Sequence, residues 1–266
     1  MKVVVLISCM HQIDFSIIEK MNLQTDAVII NQCDKETVEE SDFLNKKNEL
    51  CHVKMISTTE RGLSRSRNMA IQNAWGDICL ICDDDEILSD NYEDTILAAY
   101  LSNNNVECIT FHVERKDRSF SAKSLGNQRS VGFRGIMQTS SVQITFLRNA
   151  IIDNDIKFDI LLGSGTGNGS GEENKFLLDI KRKGIKILYV PQTIATVLPG
   201  TSLWFKGFNE TYMRNQGWSS RRSLGCFIGF LYIIYFWIKH VNIYKSEISP
   251  YNALVCLIKG YFENRQ

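Results

Sequence analysis

Hydrophobic and polar positions alternate along the chain in blocks, and the period of the blocks changes. Val3–Ser8 is a β-branched-rich run and reads as a first strand. Phe15–Asn22 carries a helical pattern, and Ala27–Ile30 is a second strand ending in the polar Asn31-Gln32-Cys33-Asp34. The charged stretch Glu36–Asn48 reads as an exposed helix, and Val53–Ile56 as a short third strand. Leu63, Arg67, Ala70, Ile71 and Ala74 fall at helical spacing, which predicts a helix over Leu63–Trp75 stopped by Gly76. Ile78–Cys82 is an apolar strand, Tyr92–Ser102 a helix and Ile109–Val113 a strand. Strand and helix taking turns in this way predict an α/β fold with a mostly parallel, doubly wound sheet.

Beyond residue 115 the pattern loosens. Lys116–Arg134 is polar and reads as a surface excursion, followed by a strand over Ser140–Phe146. Glycine then occupies every second position from Gly163 to Gly171, the composition of a flexible surface loop. It lacks the Gly-Lys-Ser/Thr ending of a phosphate-binding P-loop. Glu172–Lys183 has a helical pattern with Phe176, Leu177 and Ile180 on its apolar side; Gly184 stops it, and Ile185–Val190 is a strand closed by Pro191. Leu224–Ile238 carries no charge at all.

The 266 residues have a formal net charge of zero, which argues against a dedicated nucleic-acid binder. The zero conceals an asymmetry. Residues 201–266 carry a net charge of +5 and 15 of the 27 aromatic residues, leaving −5 on residues 1–200. Two regions with different tasks are implied. The 8 cysteines are scattered, several within apolar runs, and point to reduced thiols in the cytoplasm. Cys79 and Cys82 match a zinc or redox spacing, but on a strand they face opposite sides of the sheet.

The strand Ile78–Cys82 runs straight into Asp83, Asp84, Asp85 and Glu86. Acids at the carboxyl end of such a strand lie where open α/β sheets bind ligands. Clustered carboxylates repel one another and either form a solvated acidic turn after a core strand or take up a cation, for which Mn²⁺ or Mg²⁺ carrying phosphates is the natural candidate.

These residues resemble the inverting glycosyltransferases of family 2, which have the GT-A fold with its Rossmann-like sheet. The resemblance covers residues 1–197. Its most specific part is Glu60-Arg61-Gly62-Leu63-Ser64-Arg65-Ser66-Arg67-Asn68, then Gly76-Asp77 and Asp83-Asp84-Asp85. The family pattern there is Asn-x-Gly-x-x-x-Ala-Arg-Asn, a strand, and Asp-x-Asp. A second match runs through Phe158-Asp159, Gly171-Glu172-Glu173, Lys183-Gly184 and Tyr189-Val190-Pro191, where the family has Gly-Glu-Asp opening a helix.

The resemblance implies a nucleotide-sugar donor, a UDP-sugar, held by Ser8, Asn31, Gln32, Arg67, Asp83 and Asp84. It implies a metal on Asp85 and Asp83 that stabilises the departing diphosphate. It makes Glu173 or Glu172 the base that takes the acceptor proton; either acid also suits the first turn of a helix. Many relatives have a base-reading Asp after the second strand, where this chain has Asn31-Gln32-Cys33-Asp34; which of these takes the role stays open, and an amide both donates and accepts. Thr193–Val197 lacks the His that completes the metal site in some relatives, so metal binding rests on the Asp cluster. Arg67 sits at the family's Arg position and Asn68 is expected to organise backbone.

The implied organisation is a catalytic domain over 1–200, with a donor half over 1–115 and an acceptor half over 116–200. An aromatic, basic helical region over 201–266 follows. At 15 residues, Leu224–Ile238 is short of the ~20 needed to span a bilayer. Bracketed by Arg221-Arg222 and Lys239-His240, it reads as a membrane-surface helix or short re-entrant segment, against a helix buried in the core or a dimer. That places the enzyme in the cytoplasm at the inner face of the membrane, acting on a saccharide or lipid-linked saccharide in polysaccharide or glycolipid assembly. Aromatics from Trp204 to Trp218 are candidates for stacking on an acceptor sugar. Three competing readings remain: a non-catalytic nucleotide-sugar binder, another nucleotide-using α/β transferase, and a membrane scaffold. Oligomeric state is not readable.

Overall fold

Fully buried, β-branched-rich runs such as Val3–Ile7 and Ala27–Ile30 build the centre of one large sheet, because both of its faces are covered by helices and loops. The computed structural model describes residues 1–115, 126–198 and 207–265. In chain order its elements are β1 (Val3–Met10), α1 (Ile17–Lys20), β2 (Asp26–Gln32), β3 (Thr37–Leu44), β4 (Leu50–Thr58), α2 (Leu63–Asn73) and β5 (Ile78–Asp83). Then come β6 (Glu86–Leu88), α3 (Tyr92–Ser102), β7 (Cys108–Arg115), β8 (Arg129–Ser130), α4 (Phe133–Ile136) and a 3-10 turn (Ser141–Gln143). The remainder is β9 (Ile144–Leu147), α5 (Arg148–Asp153), α6 (Glu172–Arg182), β10 (Ile187–Val197), α7 (Glu210–Leu224), α8 (Cys226–Lys239), α9 (Val241–Tyr244) and α10 (Pro250–Phe262).

The strand order is β3-β4-β2-β1-β5-β9-β7-β10-β6, with β8 paired to β10. β4, β2, β1 and β5 are parallel; β7 and β10 run the same way because β9 is antiparallel to both β5 and β7. The sheet is therefore mixed and mostly parallel, the expected α/β architecture. One face packs Val3, Val5, Ile7, Leu80 and Cys82 with α3 residues Tyr92 and Ile96. The other packs Val4, Leu6, Cys79 and Ile81 with Ala70 and Ile71 of α2 and Phe176, Leu177 and Ile180 of α6. Cys79 and Cys82 thus lie on opposite faces, as alternation requires. A third cluster joins Met213, Ile233, Phe236, Tyr244 and Leu257 in the C-terminal helices.

Several expected elements differ. Glu36–Asn48 is not a helix. Thr37–Leu44 is an edge strand hairpinned to β4, in register from Thr37↔Ser57 to Leu44↔Leu50. The turn is held by Asn45, whose side chain accepts from the amides of Lys47 and Glu49 at 2.9 Å each, and Asn48 takes φ 59°. Its charges, misread as a helical surface, suit an exposed sheet edge. Only Ile17–Lys20 of Phe15–Asn22 is helical, because Asn22 turns left-handed at φ 56°. The strand expected over Ser140–Phe146 begins as a 3-10 turn and reaches Leu147. β10 does not stop at Pro191 but runs on to Val197, with register breaks at Val190/Thr193 and Thr193/Ala195 that accommodate the missing donor. Residues 116–125 of the expected surface excursion, and Trp204, Phe205 and Lys206, lie outside the described residues.

Candidate active site

The parallel strands end together. Ser8 pairs in register with Asp83, Cys9 with Asn31, and Asn31 with Ser57, so β1, β2, β4 and β5 bring Ser8, Asn31, Gln32, Thr58 and Asp83 to one edge. This is the carboxyl edge where open α/β sheets bind ligands. α2 leaves the same edge after Gly62, whose φ of 118° is costly for any residue with a Cβ.

Arg67 faces inward from α2 and is only 2% exposed. Its Nη2 donates to Asp83 Oδ1 at 3.0 Å, and its Nη1 donates to Glu172 Oε1 at 2.9 Å. Its guanidinium lies 5.4 Å from the Phe158 ring centre. Burial works against its charge, but Asp83, Glu172 and Glu173 outweigh that and hold the guanidinium firmly protonated. Arg65 points outward to Glu60 at 3.2 Å, so only one of the two arginines serves the interior. Asn68 clamps the backbone of Phe158, donating to its carbonyl and accepting from its amide at 2.8 Å each. Phe158 in turn stacks on Phe176, with ring centres 4.1 Å apart.

Glu172 and Glu173 open α6 directly after Gly171. Glu172 is buried, with Oε2 lacking a hydrogen-bond partner, and Glu173 Oε2 is likewise buried and unpartnered. Burial first, then the neighbouring Glu172, pushes the Glu173 carboxyl up to about 8. Glu173 therefore holds its proton near neutral pH.

The alternate-glycine segment is not a free loop. Gly163, Gly165, Gly167, Gly169 and Gly171 all adopt positive φ, between 75° and 105°. The Leu63 amide donates to Ser164 O at 3.0 Å, and Ser64 Oγ donates to Leu162 O at 2.6 Å, which fastens the segment to the start of α2. A Cβ on Gly163 falls 3.2 Å from Glu172 Cδ.

The other expected site residues are more dispersed. The Ser8 hydroxyl accepts from Ser66 Oγ at 2.8 Å. The Asn31 amide donates to Gln12 O at 2.8 Å and Ser57 Oγ at 3.0 Å, and its Oδ1 accepts from the Gln12 amide at 2.9 Å. Gln32 Oε1 accepts from the Gly62 amide at 2.7 Å. Both amides therefore organise the loops at the edge. Asp84 leans toward Lys20 at 4.0 Å, away from Arg67. Trp218 is buried, with Arg222 and Arg265 against its ring, and is not open for stacking.

Two contributors were assigned no role from the sequence. Ser141 Oγ donates to Asp83 Oδ2 at 3.2 Å from the 3-10 turn, and no spacing ties it to Asp83, 58 positions away. Glu86 is buried beside Asp83, and burial, then Asp83 and Asp85, hold it well above the usual carboxylate range. It ends the acidic run after β5, and that position was its only signal.

Among the described residues no three His, Cys, Asp or Glu side chains converge into a metal cage. Asp83 is occupied by Arg67 and Ser141, whereas Asp85 has no ion-pair partner among the described residues. Partial enclosure, then Asp83 and Asp84, raise the Asp85 pKa. The donor set suits an Mg²⁺ or Mn²⁺ that takes few protein ligands and completes its shell with phosphate oxygens and water.

A mixed, mostly parallel α/β sheet with acids and an arginine at its carboxyl edge has the layout of a ligand-binding α/β fold. Residues 15–164 match the model for glycosyl transferase family 2, and the chain belongs to that family. No curated protein matches it. Among solved structures, S. aureus TarS 1–349 is similar at TM-score 0.60 and 14% identity, covering 98% of this chain and 81% of that one. TarS 1–349 in complex with UDP-GlcNAc gives TM-score 0.62 at 14% identity, covering 93% and 74%. The complex with UDP gives TM-score 0.58 at 14% identity with the same coverage. At this identity the likeness is one of fold.

Proposed function

We propose that this protein transfers a sugar, with inversion, from a nucleoside-diphosphate sugar to a hydroxyl acceptor, with a UDP-sugar as the donor. The observation that carries this is the single buried guanidinium of Arg67 joining Asp83, on the donor edge, to Glu172 beside Glu173. Family membership and neighbours solved with UDP-GlcNAc and UDP support the donor class.

In this reading the acceptor oxygen attacks the anomeric carbon opposite the diphosphate, and the bond from that carbon to the phosphate oxygen breaks. The acceptor's proton passes to Glu173 after Glu173 has lost its own, so the reactive form gains population as pH rises toward about 8. Burial, then the neighbouring Glu172 that is bonded to Arg67, raises the affinity of Glu173 for a proton. Asp83, fixed by Arg67 and Ser141, and Ser8 beside it border the ribose side of the donor. Asn31, Gln32 and Asp84 complete the donor edge; Asn31 and Gln32 act by setting the loops that meet the nucleotide. Asp85 would hold Mn²⁺ or Mg²⁺, which would supply Lewis-acid stabilisation of the leaving diphosphate.

The division into a donor half over 1–115, an acceptor half over 116–200 and a helical region over 201–266 belongs to the same proposal. So do a saccharide or lipid-linked acceptor, polysaccharide or glycolipid assembly, and a place at the inner face of the cell membrane. The test is Glu173→Gln, followed by calorimetric UDP binding and by UDP release from a panel of UDP-sugars with water as acceptor. Intact binding with release reduced by about a hundredfold or more is expected. Unchanged release contradicts the base assignment.

A further inference from the structure

α8 buries one side and leaves the other bare. Gly229, Ile233 and Phe236 face inward, with Gly229 against the α7 backbone at Ser220 and Arg221. Phe227, Ile228, Leu231, Tyr235 and Ile238 are all more than half exposed, and Phe227 reaches 77%. At helical pitch these five lie within an arc of about 100°, so they form one continuous apolar stripe. The stripe continues across Tyr232 onto α4, where Phe133 is also exposed and meets the Tyr232 ring edge-on at 6.4 Å. Isolated exposed apolar residues need no explanation; a contiguous stripe of large ones does.

The rim of this stripe is positive. Arg134 follows Phe133, and Lys239 ends α8; neither has an ion pair among the described residues. Arg182 donates to Ser223 O at 2.6 Å, which brings the basic end of α6 to the start of α8. Residues 126–149 and 211–246 contain no Asp or Glu at all. The nearest acid on α6, Asp179, is already paired to Lys175 and Arg182.

We propose that this face seats on an anionic lipid surface, with α8 lying in the plane of the interface and its basic rim on the headgroups. No helix among the described residues is long and apolar enough to cross a membrane, so the contact is a seat and not a span. The charge pattern selects lipid over a second copy of the chain. A two-fold dimer through this face sets the positive rim against itself, with no acid in either stretch to neutralise it. An anionic headgroup layer supplies the missing charge. This contact specifies how the membrane placement proposed above is made, and flotation reads it without any transferase activity.

The experiment is flotation of the full chain with vesicles of phosphatidylcholine alone and of phosphatidylcholine with phosphatidylglycerol. Wild type is expected to float with the anionic vesicles and to bind the neutral ones at least about tenfold more weakly. The double variant Phe227→Ser, Leu231→Ser is expected to lose binding about tenfold or more. Arg134→Gln with Lys239→Gln is expected to bring anionic binding down toward the neutral level, as is raising salt from about 0.1 M to about 1 M. Near-ultraviolet circular dichroism and calorimetric melting verify that the surface variants remain folded. Failure to float with either vesicle overturns the proposal. So does a concentration-dependent dimer, by light scattering, that Phe227→Ser, Leu231→Ser disperses.

Discussion

Arg67 has both halves of the site on one guanidinium, so its removal is felt on both sides. Arg67→Met leaves Asp83 and Glu172 without their shared cation, with Glu172 fully buried. Stripping one partner from a buried pair costs about 3–5 kcal/mol. The melting temperature of Arg67→Met is therefore expected to drop sharply, and nucleotide binding to weaken with it; an unchanged melt contradicts the clamp. Glu173 acts in the opposite sense. Its folded pKa is raised from 4.5 to about 8, so the folded chain keeps a proton that the unfolded chain releases. Its contribution is fully present below about pH 4.5 and is lost as pH rises through about 8. Glu173→Gln is therefore expected to melt higher than wild type near pH 8, by up to about 4 kcal/mol at about 1.4 kcal/mol per pKa unit, and equally near pH 4. A higher melt at pH 4 instead reverses the assigned direction. Arg67, Asp83, Glu172 and Glu173 were legible because each falls in a motif of fixed spacing. The bond between Arg67 and Glu172 spans 105 positions, and the Ser141 contact with Asp83 spans 58; no local pattern encodes either.

The elements that were read correctly are those whose surroundings agree with their local pattern. β5 is the clearest case: an apolar run buried on both faces that ends in acids. Glu36–Asn48 misled because a polar stretch with many helix-tolerant residues has little periodicity, and the hairpin turn at Asn45–Asn48 overrides propensity. The alternate glycines misled in a different way. Their composition reads as freedom, yet each holds a positive φ that other residues rarely adopt, and the segment is tied to α2. Two substitutions separate strain from displacement. At Gly167 an added Cβ meets nothing within 4 Å, so Gly167→Ala is expected to cost only about 1 kcal/mol for its φ of 75°. At Gly163 the same Cβ meets Glu172 Cδ and Ser64 Oγ, both at 3.2 Å. Gly163→Ala is expected to cost about 2–3 kcal/mol and also to cut UDP release, because Glu172 has to move. Equal melts and equal turnover for the two variants contradict the loop's role in placing α6.

Across the whole molecule, the loop and the C-terminal helices share one seam. Arg222 of α7 pairs with Asp159 at 2.5 Å, one residue after the Phe158 that backs Arg67, and a Cβ on Gly169 sits 2.9 Å from Asn215 of α7. The acidic first part and the basic, aromatic last part are thus complementary where they meet. Their charge imbalance was visible in composition, whereas the pairings that join them were not. The same imbalance leaves the outward face of α8 apolar and rimmed with positive charge. The central claim is that the acids after β5 form the donor edge. Calorimetric titration of UDP and GDP, with and without Mn²⁺, into wild type and Asp85→Asn tests it most directly. UDP binding is expected to require Mn²⁺ and to weaken about tenfold or more in Asp85→Asn. Affinity indifferent to both Mn²⁺ and the substitution, or no binding of either nucleotide, contradicts it.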